Sequence, residues 1–173
     1  MLSKETQLEV AKLLEQHELA ISGLYKAYAQ TFPKHKTAWQ KLAMEEINHA
    51  ERIHDFLTRL SDGSVQISAT HSLLPEIIQA SLDSIADELK KAQSQNMLPI
   101  DAIATAMDLE ESMIEDKWFM SLQGDSPLVK RVLEALASGT RKHAQELQAM
   151  MAMEDGVAPK KRPEVTHTGM KKL

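Results

Sequence analysis

The chain has 173 residues, which is enough for one domain with a hydrophobic core, and its lack of cysteine excludes disulfides, thiolate metal sites and thiol catalysis. It has no run of about eighteen apolar residues and no basic-then-apolar signal peptide at MLSKETQLEV, so we expect a cytoplasmic protein without membrane contact. The net charge is −5, and residues 1–153 carry 22 acidic and 15 basic side chains, which argues against broad nucleic-acid binding.

Apolar residues recur with helical spacing along most of the chain, and no segment alternates as a strand does. The pattern predicts helices over 5–31, 35–61, 75–95, 99–123 and 127–153, with prolines at or near the starts of four of them. Four of the helices have about 25 residues and would be nearly 40 Å long at about 1.5 Å per residue. The predicted fold is therefore an all-α four-helix bundle in residues 1–153.

The connections predict how these helices are arranged. The short links TFPKHK and QGDSP join antiparallel hairpins, and the helix over 75–95 is an extra crossover between the second and third bundle helices. Such a crossover would make the helices over 35–61 and 99–123 parallel. Residues 154–173 contain five basic and three acidic side chains and few core-forming residues, so we expect a flexible basic tail.

The segment EEINHAERIHDFL in the second helix contains the pattern Glu-x-x-His twice. On a helical wheel, Glu46 and His49 lie on the apolar face, whereas Glu51 and His54 lie on the opposite side. A Glu and a His three residues apart on a helix can bind one metal ion from the same face. The wheel therefore favours the first pair as candidate ligands and predicts that the second pair is solvated.

The other long helices each place a polar residue on or near their apolar face. Glu110 is central in AMDLEESMIE, and His143 and Thr140 lie on the face of the last helix. The first helix is less decided, because Glu18 lies at the edge of its face and His17 lies nearer the centre. Counted from the hairpin turns, these groups lie at a common depth of about 20 Å.

Buried carboxylates at one level repel each other and cost several kcal/mol each unless they are compensated. Protonated histidines would relieve part of this cost, and bound cations would relieve more. One Glu from each of two helices and Glu-x-x-His from the other two is the ligand plan of di-iron and di-manganese bundles. Each residue also has an ordinary explanation: His143 as a hydrogen-bonded core histidine, Glu46 paired with Lys or Arg, and Glu18 in solvent.

Four stretches, HELAISGLYKAYA, MEEINHAERI, AMDLEESMIE and TRKHAQEL, resemble the ferritin-like superfamily, and most closely the erythrin-type bundle of rubrerythrins. The resemblance implies a carboxylate-bridged di-iron centre, with manganese as the alternative, that reduces peroxide or oxidises ferrous iron with dioxygen. It also implies a homodimer. The ligands that it implies are Glu18, Glu46, His49, Glu110 and His143.

The chain departs from the family at two points. It has no Cys-rich rubredoxin domain, so electrons would come from an external donor. Thr140 stands where the sixth ligand is expected, so Glu146 or an exogenous carboxylate would complete the site, or the site would hold one ion or an unequal pair. Tyr25 is a candidate for a supporting hydrogen bond. Two functions follow as alternatives: a non-haem oxidoreductase of the peroxidase or ferroxidase type, or a non-catalytic module for metal binding or dimerisation.

Overall fold

The structure is a computed structural model that describes residues 3–65, 67–69, 75–94, 97–115, 122–124, 126–154 and 156. Most of these residues lie in five α-helices, so the all-α class predicted from the sequence is confirmed. The helices are α1 (Lys4–Thr31), α2 (Lys36–Ser61), α3 (Pro75–Gln93), α4 (Pro99–Glu115) and α5 (Pro127–Glu154).

The helix ends follow local signals in the sequence. Ser3 caps α1, because its side-chain oxygen accepts a hydrogen bond from the Thr6 backbone N–H at 3.1 Å. Prolines begin α3, α4 and α5, and a short 3₁₀ turn at Pro33–His35 separates α1 from α2. Gly63 follows the end of α2 with φ +80°, a conformation that glycine adopts without steric cost.

Two predictions about the segment after α4 are wrong. The helix was expected to continue to residue 123 and no strand was expected, but Leu122–Gly124 forms strand β2, which pairs antiparallel with β1 (Ile67–Ala69). Residues 116–121 lie outside the described part of the chain. Strands of three residues are too short to show alternation, and their pairing joins segments that are distant in sequence.

Contacts along the helices give their relative directions. Ser22 on α1 donates to the Ala43 carbonyl on α2 at 2.8 Å, and Lys4 contacts the Ser61 carbonyl at the far end, so this hairpin is antiparallel. Tyr25 on α1 donates to Glu110 on α4 at 2.8 Å. Two ion pairs join α2 to α5, and the residue numbers rise along one helix as they fall along the other, so these helices are antiparallel as well. The helices α1, α2, α4 and α5 therefore contribute to one interior.

The helix α3 packs against α1 on the side away from that interior. His17 Nε2 lies 2.9 Å from Ser81 Oγ, and Thr31 Oγ1 donates to the Ala92 carbonyl at 3.3 Å. The helix α1 is thus covered on two sides, which explains why its apolar face was hard to define. Both His17 and Glu18 are buried, with 1% and 0% of their surface exposed, but His17 faces α3.

Apolar side chains from all five helices form the core around this interior. Among the described residues, no helix combines the length and apolar character that a membrane span requires. The largest fully buried side chains are Trp39, Tyr25, Tyr28, Ile21, Leu24, Leu42, Leu60, Ile78, Ile85, Ile103 and Leu136. The predicted tail at 154–173 lies outside the described residues except for Glu154 and Gly156, so its flexibility stays a prediction.

Burial of His17 predicts a pH dependence of stability. Loss of hydration in the interior, partly opposed by the charge of Glu18, lowers the pKa of His17 from 6.5 to about 4. The unfolded chain therefore takes up a proton between pH 6.5 and 4 that the folded chain does not. The contribution of His17 to the unfolding free energy should therefore fall by up to about 3 kcal/mol over this window as the pH falls.

Urea denaturation at several pH values checks this expectation. His17→Gln should lose less stability than the wild type over the window, whereas the exposed His54→Gln should behave like the wild type. Equal pH dependence in the wild type and His17→Gln would contradict the assignment.

Candidate metal centre

The two Glu-x-x-His pairs of α2 point in different directions, as the wheel predicted. Glu46 and His49 are buried on the face that also carries Leu42 and Ile53. Glu51 and His54 are exposed, and His54 Nδ1 lies 3.0 Å from Glu15 Oε1 on the surface. Only the first pair of the two therefore faces the interior.

Three other helices add one buried polar residue each to the space in front of Glu46 and His49. Glu18 comes from α1, Glu110 from α4 and His143 from α5. None of the five residues has more than 6% of its surface exposed. The structure thus brings together side chains that are distant in sequence, as the common depth of these groups had led us to expect.

One half of this cluster forms around His49. Its Nδ1 lies 3.0 Å from Glu46 Oε2 and 3.4 Å from Glu18 Oε2. We call these three side chains the His49 triad. Its members all come from the α1–α2 hairpin.

The other half forms around His143. Its Nδ1 lies 2.7 Å from Glu46 Oε1 and 3.4 Å from Glu110 Oε1. We call these three side chains the His143 triad. The two oxygens of Glu46 face different histidines, and the imidazole rings stack with centroids 5.1 Å apart. Glu46 therefore joins the two triads.

Several polar atoms of the cluster have no hydrogen-bond partner among the described residues. They are Glu18 Oε1 and Oε2, Glu46 Oε1, Glu110 Oε2 and His143 Nδ1. A buried polar atom without a partner costs about 1–3 kcal/mol, and more when the group is charged. Three of these atoms lie within ion-pair distance of an opposite group, which leaves Glu18 Oε1 and Glu110 Oε2 without a close partner among the described residues.

The pKa values of Glu18, His49 and His143 show the same lack of charge compensation. Burial, with the neighbouring Glu46 charge, raises the pKa of Glu18 to about 7. Burial lowers the pKa of each histidine, but the adjacent carboxylates outweigh it. Glu18 and Glu46 raise the pKa of His49 to about 9, and Glu110 and Glu46 raise that of His143 to about 11. The protein alone therefore neutralises its carboxylates by holding protons on them or on the imidazoles.

An ion-pair cluster without metal is the ordinary alternative. In such a cluster each imidazolium N–H would point at a carboxylate oxygen, because charge-assisted hydrogen bonds are strong and directional. His143 Nδ1 and Glu46 Oε1 are 2.7 Å apart, yet neither atom takes part in a well-aligned hydrogen bond within the described residues. His49 Nδ1 does pair with Glu46 Oε2 at 3.0 Å, so the ion-pair alternative accounts for that contact but not for the poor alignment at His143.

The spacing of these atoms suits a shared cation. Two ligand atoms that each lie about 2.1 Å from one ion are separated by about 3 to 3.5 Å. Three of the four nitrogen–oxygen distances within the triads, from 3.0 to 3.4 Å, lie in this range, and the fourth, at 2.7 Å, is shorter. One ligand atom each from Glu46, His49 and His143 also lie within 4.8 Å of one another, so these three residues, taken from both triads, could hold a single ion. The donor set of carboxylates and imidazoles fits iron or manganese.

Aromatic side chains pack beside the cluster. The Tyr25 hydroxyl donates to Glu110 Oε1 at 2.8 Å, which is the supporting role considered for it. Burial and the charge of Glu110 raise the pKa of this tyrosine well above its usual value, so it stays a donor. Tyr28 and Trp39 contact Tyr25 with ring centroids 6.5 and 5.3 Å away. This packing keeps water from one side of Glu110.

The two candidates for an additional ligand point elsewhere. Thr140 is buried, but its hydroxyl donates to the Leu136 carbonyl of its own helix at 3.3 Å. Glu146 forms an ion pair with Lys41 at 2.6 Å and lies near Lys142 at 3.7 Å. The described cluster therefore contains three carboxylates and two imidazoles.

Two residues at the cluster were missed by the sequence reasoning. Glu45 Oε2 lies 2.9 Å from His143 Nε2, on the outer side of that ring. Gly139 on α5 faces the His49 ring so closely that an added Cβ would be 2.3 Å from His49 Nε2. Glycine in a helix interior costs about 1 kcal/mol relative to alanine, and this cost was the one signal that pointed to Gly139.

Comparison with protein-family models, curated proteins and solved structures gives no match. The interpretation of the centre therefore rests on its own geometry.

The contact between Gly139 and His49 predicts the effect of a single methyl group. Gly139→Ala should push the His49 ring away, and such overpacking costs about 1–3 kcal/mol against a helix-propensity gain of about 1 kcal/mol, so the variant should be no more stable than the wild type and up to about 2 kcal/mol less stable. Chemical denaturation measures the difference.

Gly23→Ala on α1 is the matched control, because an added Cβ there meets no atom within 4 Å. It should stabilise the protein by about 0.5–1 kcal/mol. If Gly139→Ala stabilises the protein as much as Gly23→Ala does, the position of the His49 ring is wrong.

Proposed function

We propose that this protein binds iron, or manganese, between the helices of a ferritin-like bundle. The ligands are Glu18, Glu46, His49, Glu110 and His143. Glu46 would contribute to two metal positions, because its two oxygens face different histidines. One position belongs to the His49 triad and the other to the His143 triad.

The observation that carries this proposal is the convergence of unpaired acceptor atoms in a dry interior. The carboxylates of Glu18, Glu46 and Glu110 have no exposed surface, and each has at least one oxygen without a hydrogen-bond partner among the described residues. A divalent cation compensates such charges directly, whereas protons on the imidazoles leave Glu18 Oε1 and Glu110 Oε2 without a partner among the described residues. The absence of cysteine leaves carboxylate and imidazole as the donors, which suits iron and manganese.

We further propose that the centre is that of a non-haem oxidoreductase. Bound iron or manganese would supply redox chemistry with peroxide or dioxygen, and an external donor would supply electrons. The chain's own part is to hold the ligands and exclude water. The Tyr25 hydroxyl orients Glu110 by donating to Oε1, and the ring packs against Trp39. His49 and His143 would bind as neutral imidazoles through Nδ1.

The rival function is a non-catalytic metal-binding or dimerisation module, and Thr140 is the observation that favours it. Two divalent cations carry four positive charges, and three buried carboxylates balance three of them. The Thr140 hydroxyl is neutral and donates to the Leu136 carbonyl, so it does not supply the missing charge. An exogenous anion would be needed, or one position would hold its ion weakly.

Metal binding is tested with the two Glu-x-x-His pairs of α2. The wild type, loaded with Fe(II) without oxygen or with Mn(II), should bind up to two ions per chain. Glu46→Ala should lose binding at both positions, and His143→Ala should weaken one by more than about 100-fold, since even outer partners of ligands contribute about 10–100-fold. Calorimetry and metal analysis measure both.

The double variant Glu51→Ala with His54→Ala is the matched control, because it removes the exposed pair from the same helix. It should bind metal like the wild type. If Glu46→Ala binds as much metal as this control, the proposed site is refuted.

Turnover separates the oxidoreductase from its rival. The iron-loaded wild type should consume peroxide with a chemical reductant, or oxidise added Fe(II), faster than Glu46→Ala treated in the same way. Peroxide loss and Fe(III) absorbance are the measurements. A wild type that retains its iron but reacts no faster than the variant supports the non-catalytic module.

A further inference from the structure

We propose that Glu45 is a positioning residue that fixes His143 for metal binding and makes the His143 triad the tighter of the two metal positions. This inference rests on the proposed function and concerns the strength of each position. Glu45 directly precedes the bridging Glu46 on α2, but its side chain lies on the outer side of the His143 ring.

The two nitrogens of His143 have different surroundings. Nε2 lies 2.9 Å from Glu45 Oε2, and Nδ1 lies 2.7 Å from Glu46 Oε1 on the inner side. A carboxylate accepts hydrogen bonds and does not donate, so Glu45 selects the ring form that carries its proton on Nε2. When a metal ion replaces the proton on Nδ1, the lone pair of this nitrogen would be directed at the space between Glu46 and Glu110.

Glu45 is itself held in place. Lys142 Nζ donates to both of its oxygens, at 2.8 and 3.0 Å, and Lys41 lies 4.0 Å away. These contacts limit the rotation of the Glu45 side chain. Lys142 therefore orients the Glu45 carboxylate, and this carboxylate orients the His143 imidazole, whose other nitrogen faces the interior.

His49 lacks this outer support. Its Nδ1 faces Glu18 and Glu46, and within the described residues no carboxylate oxygen lies within 4.0 Å of its Nε2. That side of the ring faces Gly139 instead. An outer acceptor on a ligating histidine typically strengthens metal binding about 10–100-fold. The two triads are thus unequal although each contains one imidazole and shares Glu46.

The test compares Glu45→Ala, Glu45→Gln and the wild type by calorimetry with Mn(II). The wild type should bind a first ion more tightly than a second. Glu45→Ala should weaken the tighter step about 10–100-fold and leave the weaker step unchanged. Glu45→Gln removes the same charge but keeps an acceptor oxygen, so it should lie within a few-fold of the wild type.

Nuclear magnetic resonance of the Zn(II)-loaded protein reads the ring form directly. Long-range ¹H–¹⁵N correlations should show His143 with its proton on Nε2 in the wild type and in Glu45→Gln, and a mixture of forms in Glu45→Ala. A general loss of structure would not produce this selective change at one ring.

Glu15→Ala is the matched control. Glu15 also pairs with a histidine, His54, at 3.0 Å, and its side chain is 23% exposed against 24% for Glu45. It should leave both binding steps and the His143 ring form unchanged. The proposal is overturned if Glu45→Ala keeps the wild-type affinity and ring form, or if Glu45→Gln falls as far as Glu45→Ala.

His143→Ala distinguishes failure of this inference from failure of the proposed function. Loss of metal in His143→Ala with normal binding in Glu45→Ala refutes the role of Glu45 alone. A wild type that binds no metal, or no more than His143→Ala at every step, refutes the centre itself.

Discussion

The burial of three carboxylates beside two imidazoles is the constraint on which the rest of the structure depends. Glu18, Glu46 and Glu110 have no exposed surface, so water does not solvate their charge. Acidic side chains in an apolar interior are costly unless protons or cations compensate them. The apolar core, the stacked imidazoles and the donation from Tyr25 surround this cluster on several sides, and the proposed metal centre would supply the compensating charge.

Helical periodicity was sufficient to predict much of this arrangement. Apolar spacing and proline positions gave the helix bounds within two residues except at the end of α4. The same spacing separated Glu46 and His49 from Glu51 and His54, because residues on opposite faces of one helix differ strongly in apolar surroundings. Inward-facing acids and histidines are rare enough that their common depth predicted one cluster. That this cluster binds a metal is a proposal.

Features that depend on contacts between distant segments could not be predicted in this way. The strands β1 and β2 pair across more than one helix and are too short to show a pattern. The burial of His17 arises from α3, which covers α1 on its other side. Glu45 lies outside the apolar face, so the wheel gave it no role. The contact at Gly139 depends on how closely two helix backbones approach.

The position of Glu46 on α2 determines how the centre can come apart. A shift of α2 by one residue moves a side chain by about 1.5 Å and turns it by about 100°. Such a shift would move Glu46 away from both histidines at once, so both triads depend on the register of this helix. Separation of α5 from the bundle would have another result. It would remove His143, which is 98 residues from Glu45 in sequence, whereas Glu18, Glu46 and His49 all belong to the hairpin of α1 and α2. The residues proposed for one half of the centre thus all lie within the first 61 residues of the chain, whereas those of the other half come from α2, α4 and α5.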